Sequence, residues 1–126
     1  MTPFGHYLEK LRRSRNLQQT QLAAELGVHS CYVSAMEKGR KGPAAEPVLK
    51  KLVDVLNLDE EEQRLLWRYV KQSKPTFKIP KDAGLAEYAF VNELWGHLGS
   101  LTDDQLDAMK LILKMRDSQR RVYREV

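Results

Sequence analysis

Apolar positions recur three and four residues apart through almost the whole chain, the spacing of helices that bury one stripe, and strand-like alternation is nearly absent. Phe4, Tyr7, Leu8 and Leu11 predict a first helix from Pro3 to Arg15, with Pro3 tolerated in the opening turn, where its missing N–H costs no bond. Leu22, Ala23 and Leu26 predict a short second helix at Gln19 to Leu26, and Val33 and Met36 a third at Ser30 to Lys38. Gly27 supplies the backbone freedom for a sharp turn between them, and Gly39 is placed to end the third. Pro43 to Pro47 reads as a connector, after which Val48, Leu49, Leu52, Val53 and Leu56 form the stripe of a fourth helix. A fifth begins at Asp59 and packs through Leu65, Leu66, Tyr69 and Val70. Asp59 and Glu62 carry the spacing of a capping box, and the acids between them lie where the helix dipole favours negative charge.

The helical period stops between Lys71 and Lys81, where two prolines predict an extended segment. It resumes with Phe90, Val91, Leu94, Trp95 and Leu98 on one face of a helix ending near Gly99. Thr102 as cap, Gln105 reaching back and Leu101 against Leu106 then open a last helix. That helix is expected to bury Leu106, Met109, Ile112 and Leu113 and to fray through the charged tail from Arg116 to Val126. The organisation is all-α: a domain at 1–73, a linker at 74–82 and a helical oligomerisation unit at 83–126. Two helices cannot bury both of their stripes, so the C-terminal unit must dock on the first domain or pair with a second copy, and pairing is favoured. Phe90, Leu94, Trp95, Leu106, Met109, Ile112 and Leu113 are the expected dimer contacts.

Composition narrows the function. A chain of 126 residues is the size of about one domain, too small for an elaborate catalytic cleft beside a second fold. No run approaches the roughly 18 apolar residues of a membrane span, and Met1 to His6 lacks a basic segment followed by an apolar one, so a cytoplasmic location without membrane contact is expected. The single cysteine, Cys31, excludes an intrachain disulfide. His6, His29 and His97 stand far apart without metal-ligand spacing, and there is no glycine loop for phosphates and no nucleophile elbow. No enzyme, catalytic residue, metal or cofactor is therefore expected. The net charge of +4 lies entirely within residues 1–42, while the remaining residues balance to zero, which points the N-terminal third at a polyanion.

The third helix shows how such a partner would be read. Its outer face carries Ser30, Cys31, Ser34 and Ala35, small enough to let a helix backbone approach base edges, and Arg40 and Lys41 follow where phosphates need neutralising. Residues Phe4 to Tyr69 resemble the Cro and lambda-repressor-like helix-turn-helix family, the Xre-type regulators. The resemblance rests on Phe4-Gly5-X-Tyr7-Leu8-X-X-Leu11-Arg12, Gln19-X-X-Leu22-Ala23-X-X-Leu26-Gly27-Val28, Tyr32-Val33-Ser34-X-Met36-Glu37-X-Gly39-Arg40 and Leu49-X-X-Leu52-X-X-X-Leu56. It implies a five-helix DNA-binding domain whose third helix enters the major groove.

Carried over position by position, it assigns base reading to Ser30, Cys31, Ser34 and Ala35. It assigns phosphate contacts to Gln19, Tyr32, Lys38, Arg40 and Lys41, and a structural ion pair to Arg12 and Glu37. Gln18 and His29 depart from the pattern, standing where Ser or Thr usually caps helices two and three. The expected function is that of a homodimeric regulator, a repressor by preference, binding double-stranded DNA at half-sites roughly 34 Å apart. The alternative is an antitoxin or adaptor whose C-terminal helices bind another protein. Cys31 at a helix start also admits a redox-controlled repressor, against the simpler and favoured reading of a small groove-facing side chain.

Overall fold

Thr2 opens the first helix of the computed structural model, its Oγ1 accepting the Gly5 N–H at 3.0 Å with Pro3 in the first turn. The structure describes the backbone of residues 1–125 and the side chains of residues 1–115. Among them the elements are α1 (Pro3–Ser14), α2 (Gln19–Leu26), α3 (Ser30–Glu37), α4 (Glu46–Val55), α5 (Glu60–Gln72), α6 (Leu85–His97) and α7 (Asp103–Glu125), with no strand. They form two compact units, Met1–Phe77 and Lys78–Val126.

In the first unit α1 packs on α3 and α5, and α2 on α3 and α4. Phe4, Leu8, Leu22, Val33, Met36, Leu56 and Leu66 are fully enclosed, each contributing on the order of 1.5–3 kcal/mol of apolar burial. The predicted stripes are therefore the core-facing ones, because a 3.6-residue period leaves no other face for those side chains. Two ends moved. Helix α4 begins at Glu46, inside the expected connector, since Pro47 falls in a first turn where no N–H is needed. Helix α1 stops at Ser14, one residue early, and Asn16 turns the chain with a φ of 55°.

Polar groups fasten these helices at their ends. Ser73 Oγ accepts the Phe4 N–H at 2.8 Å and donates to the Tyr69 carbonyl at 2.6 Å, tying the end of α5 to the start of α1. Asp59 and Glu62 form the reciprocal capping box at the start of α5, at 2.8 and 3.2 Å. Glu62 also accepts both Arg15 Nη groups at 2.8 and 2.9 Å, while Arg15 Nε donates to the Leu56 carbonyl at 3.0 Å, so one guanidinium joins α1, α4 and α5.

These bonds from Arg15 hold the Glu62 carboxyl below its ordinary value, against a smaller opposing effect of burial. A depressed folded-state pKa means that the stabilisation is complete above the unfolded value of about 4.3 and is lost as pH falls through the folded value. The urea midpoint of this unit is accordingly expected to fall between about pH 5 and 3, and Glu62→Gln to remove part of that slope. An unchanged pH profile in the variant would show that the bridge contributes nothing.

The second unit departs further from its expected form. Thr102 and Gln105 do cap α7 reciprocally, at 2.9 and 3.1 Å. Helix α6, however, buries no residue, with Leu85 92% and Trp95 69% exposed. Leu106, Ile112 and Leu113, expected to be buried, are 38%, 63% and 65% exposed, and Met109 is half-buried. With Phe90 and Leu94 these four line an open apolar groove of about 370 Å³; Trp95 stands outside it. Two helices offer each other too little surface to enclose both stripes. The frayed tail expected from Arg116 to Val126 concerns side chains that lie outside the described residues; the α7 backbone is helical to Glu125.

Candidate nucleic-acid interface

The turn between α2 and α3 is closed by backbone bonds that require a left-handed residue. Gly27 takes a φ of 72°, its N–H donates to the Ala24 carbonyl at 3.2 Å, and the Val28 N–H donates to the Ala23 carbonyl at 3.0 Å. His29 then stands as an extended N-cap for α3 without a side-chain cap bond, and Gln18 does so for α2. At α2 the cap bond comes from the other direction, from the Gln18 N–H to Gln21 Oε1 at 2.8 Å. This is how the chain manages without the usual Ser or Thr there. Lys51 of α4 brings its ammonium close to Gly27, at the C-terminal end of α2, where a cation is favoured.

Helix α3 splits into two faces. Val33, Met36 and Glu37 are buried inward. Outward, Cys31 is exposed and Ser30, Ser34 and Ala35 are half-buried, while Tyr32 lies partly buried against the core. The helix ends at Glu37, with Lys38 as its exposed cap, one residue earlier than its spacing predicts. Gly39 follows with a φ of 79°, and the Ala35 carbonyl accepts the N–H groups of both Arg40 and Lys41, at 2.9 and 3.3 Å. The cationic loop is thus bonded to the helix it follows. Both of its side chains are exposed.

Behind this face lies a buried polar cluster. Arg12 Nε donates to Glu37 Oε2 at 2.7 Å, Nη2 to Glu37 Oε1 at 3.0 Å and Nη1 to the Leu17 carbonyl at 2.7 Å. The Arg12 side chain is 10% exposed and that of Glu37 2%. The Glu37 hydrogen bonds raise the already high Arg12 pKa, so the guanidinium stays charged. Gln19, half-buried at the first position of α2, donates through Nε2 to the same Glu37 Oε1 at 3.0 Å. Arg12, Gln19 and Glu37 therefore meet at one point. The Gln19 bond escapes sequence reasoning, because the partners are 18 positions apart on different helices and neither periodicity nor composition couples them.

Among the described residues no group of His, Cys, Asp and Glu side chains is arranged to hold a metal ion, and no helix is long and apolar enough to cross a membrane. A face of small side chains, bordered by a loop that carries exposed cations, is suited to docking on a polyanion.

Comparison with known proteins agrees with this geometry. A model of the helix-turn-helix domain matches residues 3–66. The chain is 41% identical over 61 residues to the uncharacterized HTH-type transcriptional regulator RghRB of Bacillus subtilis (strain 168), covering 48% of this chain and 44% of that protein. It is 36% identical over 61 residues to the HTH-type transcriptional repressor RghR of the same organism, covering 48% and 45%. The chain thus spans less than half the length of the curated relatives it matches. Among solved structures, one from the SinR protein/SinI protein complex aligns over 91% of this chain and 98% of its own, with a TM-score of 0.44 and 17% sequence identity.

Proposed function

Because the chain belongs to the helix-turn-helix domain family of the Xre-like type, we propose that it is a DNA-binding transcriptional regulator, acting as a repressor in the cytoplasm without catalytic activity. In this reading α3 lies in the major groove, Ser30, Cys31, Ser34 and Ala35 face base edges, and Gln19, Tyr32, Lys38, Arg40 and Lys41 contact phosphates. Arg12 and Glu37 hold α1 to the end of α3. The observation that carries the proposal is the outer face of α3, with Cys31 exposed and Ser30, Ser34 and Ala35 half-buried, ending in a loop whose backbone N–H groups at Arg40 and Lys41 donate to the Ala35 carbonyl while both cationic side chains stay exposed.

None of the four base-facing side chains is a bidentate Arg, Asn or Gln, so direct readout is modest and one helix covers too few base pairs to select a site. A homodimer supplies the second half-site. The apolar groove of the second unit supports pairing through Phe90, Leu94, Leu106, Met109, Ile112 and Leu113, and the exposed Trp95 outside it is the further contact proposed.

Selection from a randomised duplex library tests the whole reading. A two-fold-symmetric sequence is expected to be enriched, bound by a particle of twice the chain mass. Arg40→Ala should then weaken binding to enriched and scrambled duplexes by a similar factor and lower the salt slope by about 0.9 for the lost phosphate contact, while Ser34→Ala should mainly narrow the difference between them. Recovery of no enriched sequence overturns the regulator. A different polypeptide bound stoichiometrically to α6 and α7 overturns the homodimer.

A further inference from the structure

We propose that Glu37 is a positioning residue for DNA binding: it holds the Gln19 side-chain amide in the orientation that meets a phosphate at the start of α2. This rests on the phosphate contact proposed for Gln19. The geometry is specific. Glu37 Oε1 accepts from both Arg12 Nη2 and Gln19 Nε2, each at 3.0 Å, and Oε2 accepts Arg12 Nε at 2.7 Å. The carboxylate is buried and cannot reach DNA itself. One N–H of the Gln19 fork is committed to Glu37, which fixes the plane of the amide and leaves its second N–H available to an outside acceptor.

The backbone adds to this arrangement. The first helical bond of α2 runs from the Leu22 N–H to the Gln18 carbonyl at 3.0 Å, so the N–H groups of Gln19 and Thr20 have no acceptor within the helix. A phosphate oxygen at this point would meet those groups together with the amide. A glutamine free in solvent would have to be ordered on binding. One already held by Glu37 is not, and the saving is worth about two- to tenfold in affinity.

Charge makes the inference testable by sign. Arg12 neutralises the Glu37 carboxylate, so the cluster presents an oriented amide and no net charge. If Glu37 affected DNA only through its charge, Glu37→Met, of similar size but with no acceptor for the Gln19 amide, would leave Arg12 uncompensated and strengthen binding to a polyanion. A positioning role requires the opposite sign.

The experiment is a double-mutant cycle on the full chain, with Kd measured at fixed salt for the duplex enriched by selection, using Gln19→Met and Glu37→Met. Gln19→Met is expected to weaken binding about two- to tenfold, Glu37→Met by a comparable factor, and the double variant by no more than either single one. Equal losses from Glu37→Met in both backgrounds, or tighter binding, would overturn the inference while leaving Gln19 as a phosphate contact. No effect of Gln19→Met would remove that contact, and the inference with it.

A readout without DNA runs in parallel. The two side-chain amide protons of Gln19 should resonate apart from the other glutamines in the NMR spectrum and move to the ordinary position in the Glu37 variant; an unmoved pair counts against the proposal. Where Glu37→Met does not yield a folded domain, Glu37→Asp goes through the same cycle and is held to the same outcomes. It keeps the charge against Arg12 while withdrawing the carboxylate by one methylene.

Discussion

Arg12→Ala is expected to destabilise the N-terminal unit by about 3–5 kcal/mol, the cost of leaving one partner of a buried ion pair without the other. The Glu37 side chain is 2% exposed and would retain only the Gln19 amide as a donor, and the Leu17 carbonyl would lose its partner too. A domain of this length has a total stability of only about 5–15 kcal/mol, and 1 kcal/mol corresponds to about 4–8 °C in Tm. The variant should therefore melt more than about 12 °C lower, a shift that circular dichroism reads directly. Arg13→Ala is the control. Its pair with Glu9 is 71% and 31% exposed, and its loss should cost no more than about 1 kcal/mol. Replacing both members, as in Arg12→Met with Glu37→Leu, should recover most of the loss, because no lone charge is then buried. A cost under about 1 kcal/mol for Arg12→Ala would mean that water reaches the pair and that the buried description is wrong.

Gly5→Ala is expected to be nearly as damaging although it adds one methyl group. A Cβ at this position would lie 2.2 Å from the Met36 carbonyl oxygen and 3.0 Å from that of Glu37, both in the last turn of α3. No rotamer relieves a clash with backbone, so α1 and α3 must separate where Phe4, Leu8, Val33 and Met36 pack. Overpacking of this kind costs about 1–3 kcal/mol and sometimes more, and contact with two carbonyls puts the expected value at the top of that range. It outweighs the gain of at most about 1 kcal/mol from putting alanine in a helix. Since the moved element is the proposed recognition helix, affinity for an enriched duplex should fall further than affinity for a scrambled one. Gly42→Ala, with nothing within 4 Å of the added Cβ, should leave both unchanged. Denaturant titration together with duplex binding separates the two effects; a Gly5→Ala protein as stable as the parent would refute the close α1–α3 approach.

The stripes of α1, α4 and α5 were legible because a helix with one buried face must repeat its apolar residues at 3.6-residue spacing. Their ends were less so. Pro47 signals both a connector and a first helical turn, and only the packing of Leu49 and Leu52 selects the second. The reciprocal caps at Asp59 and Glu62 and at Thr102 and Gln105 were legible since both partners lie within one turn. In α6 the expected apolar residues fall within one arc of the helix, but Leu85 and Tyr88 carry apolar surface beyond it and no α6 residue is buried, an outcome that helical spacing alone does not reveal.

Local patterns were thus sufficient to specify seven helices, the turn at Gly27, a cationic excess in the first third and the Xre-like resemblance. Those features depend on residues within a turn or two of one another, or on summed charge. The Arg12–Glu37 pair was implied by the resemblance, but the bond of Gln19 to Glu37, the approach of Gly5 to the α3 backbone and the bonding of Ser73 to Phe4 came from the fold alone. Each joins residues separated by 18 or more positions, and whether such groups touch depends on how whole helices cross, a property that only the packed core decides.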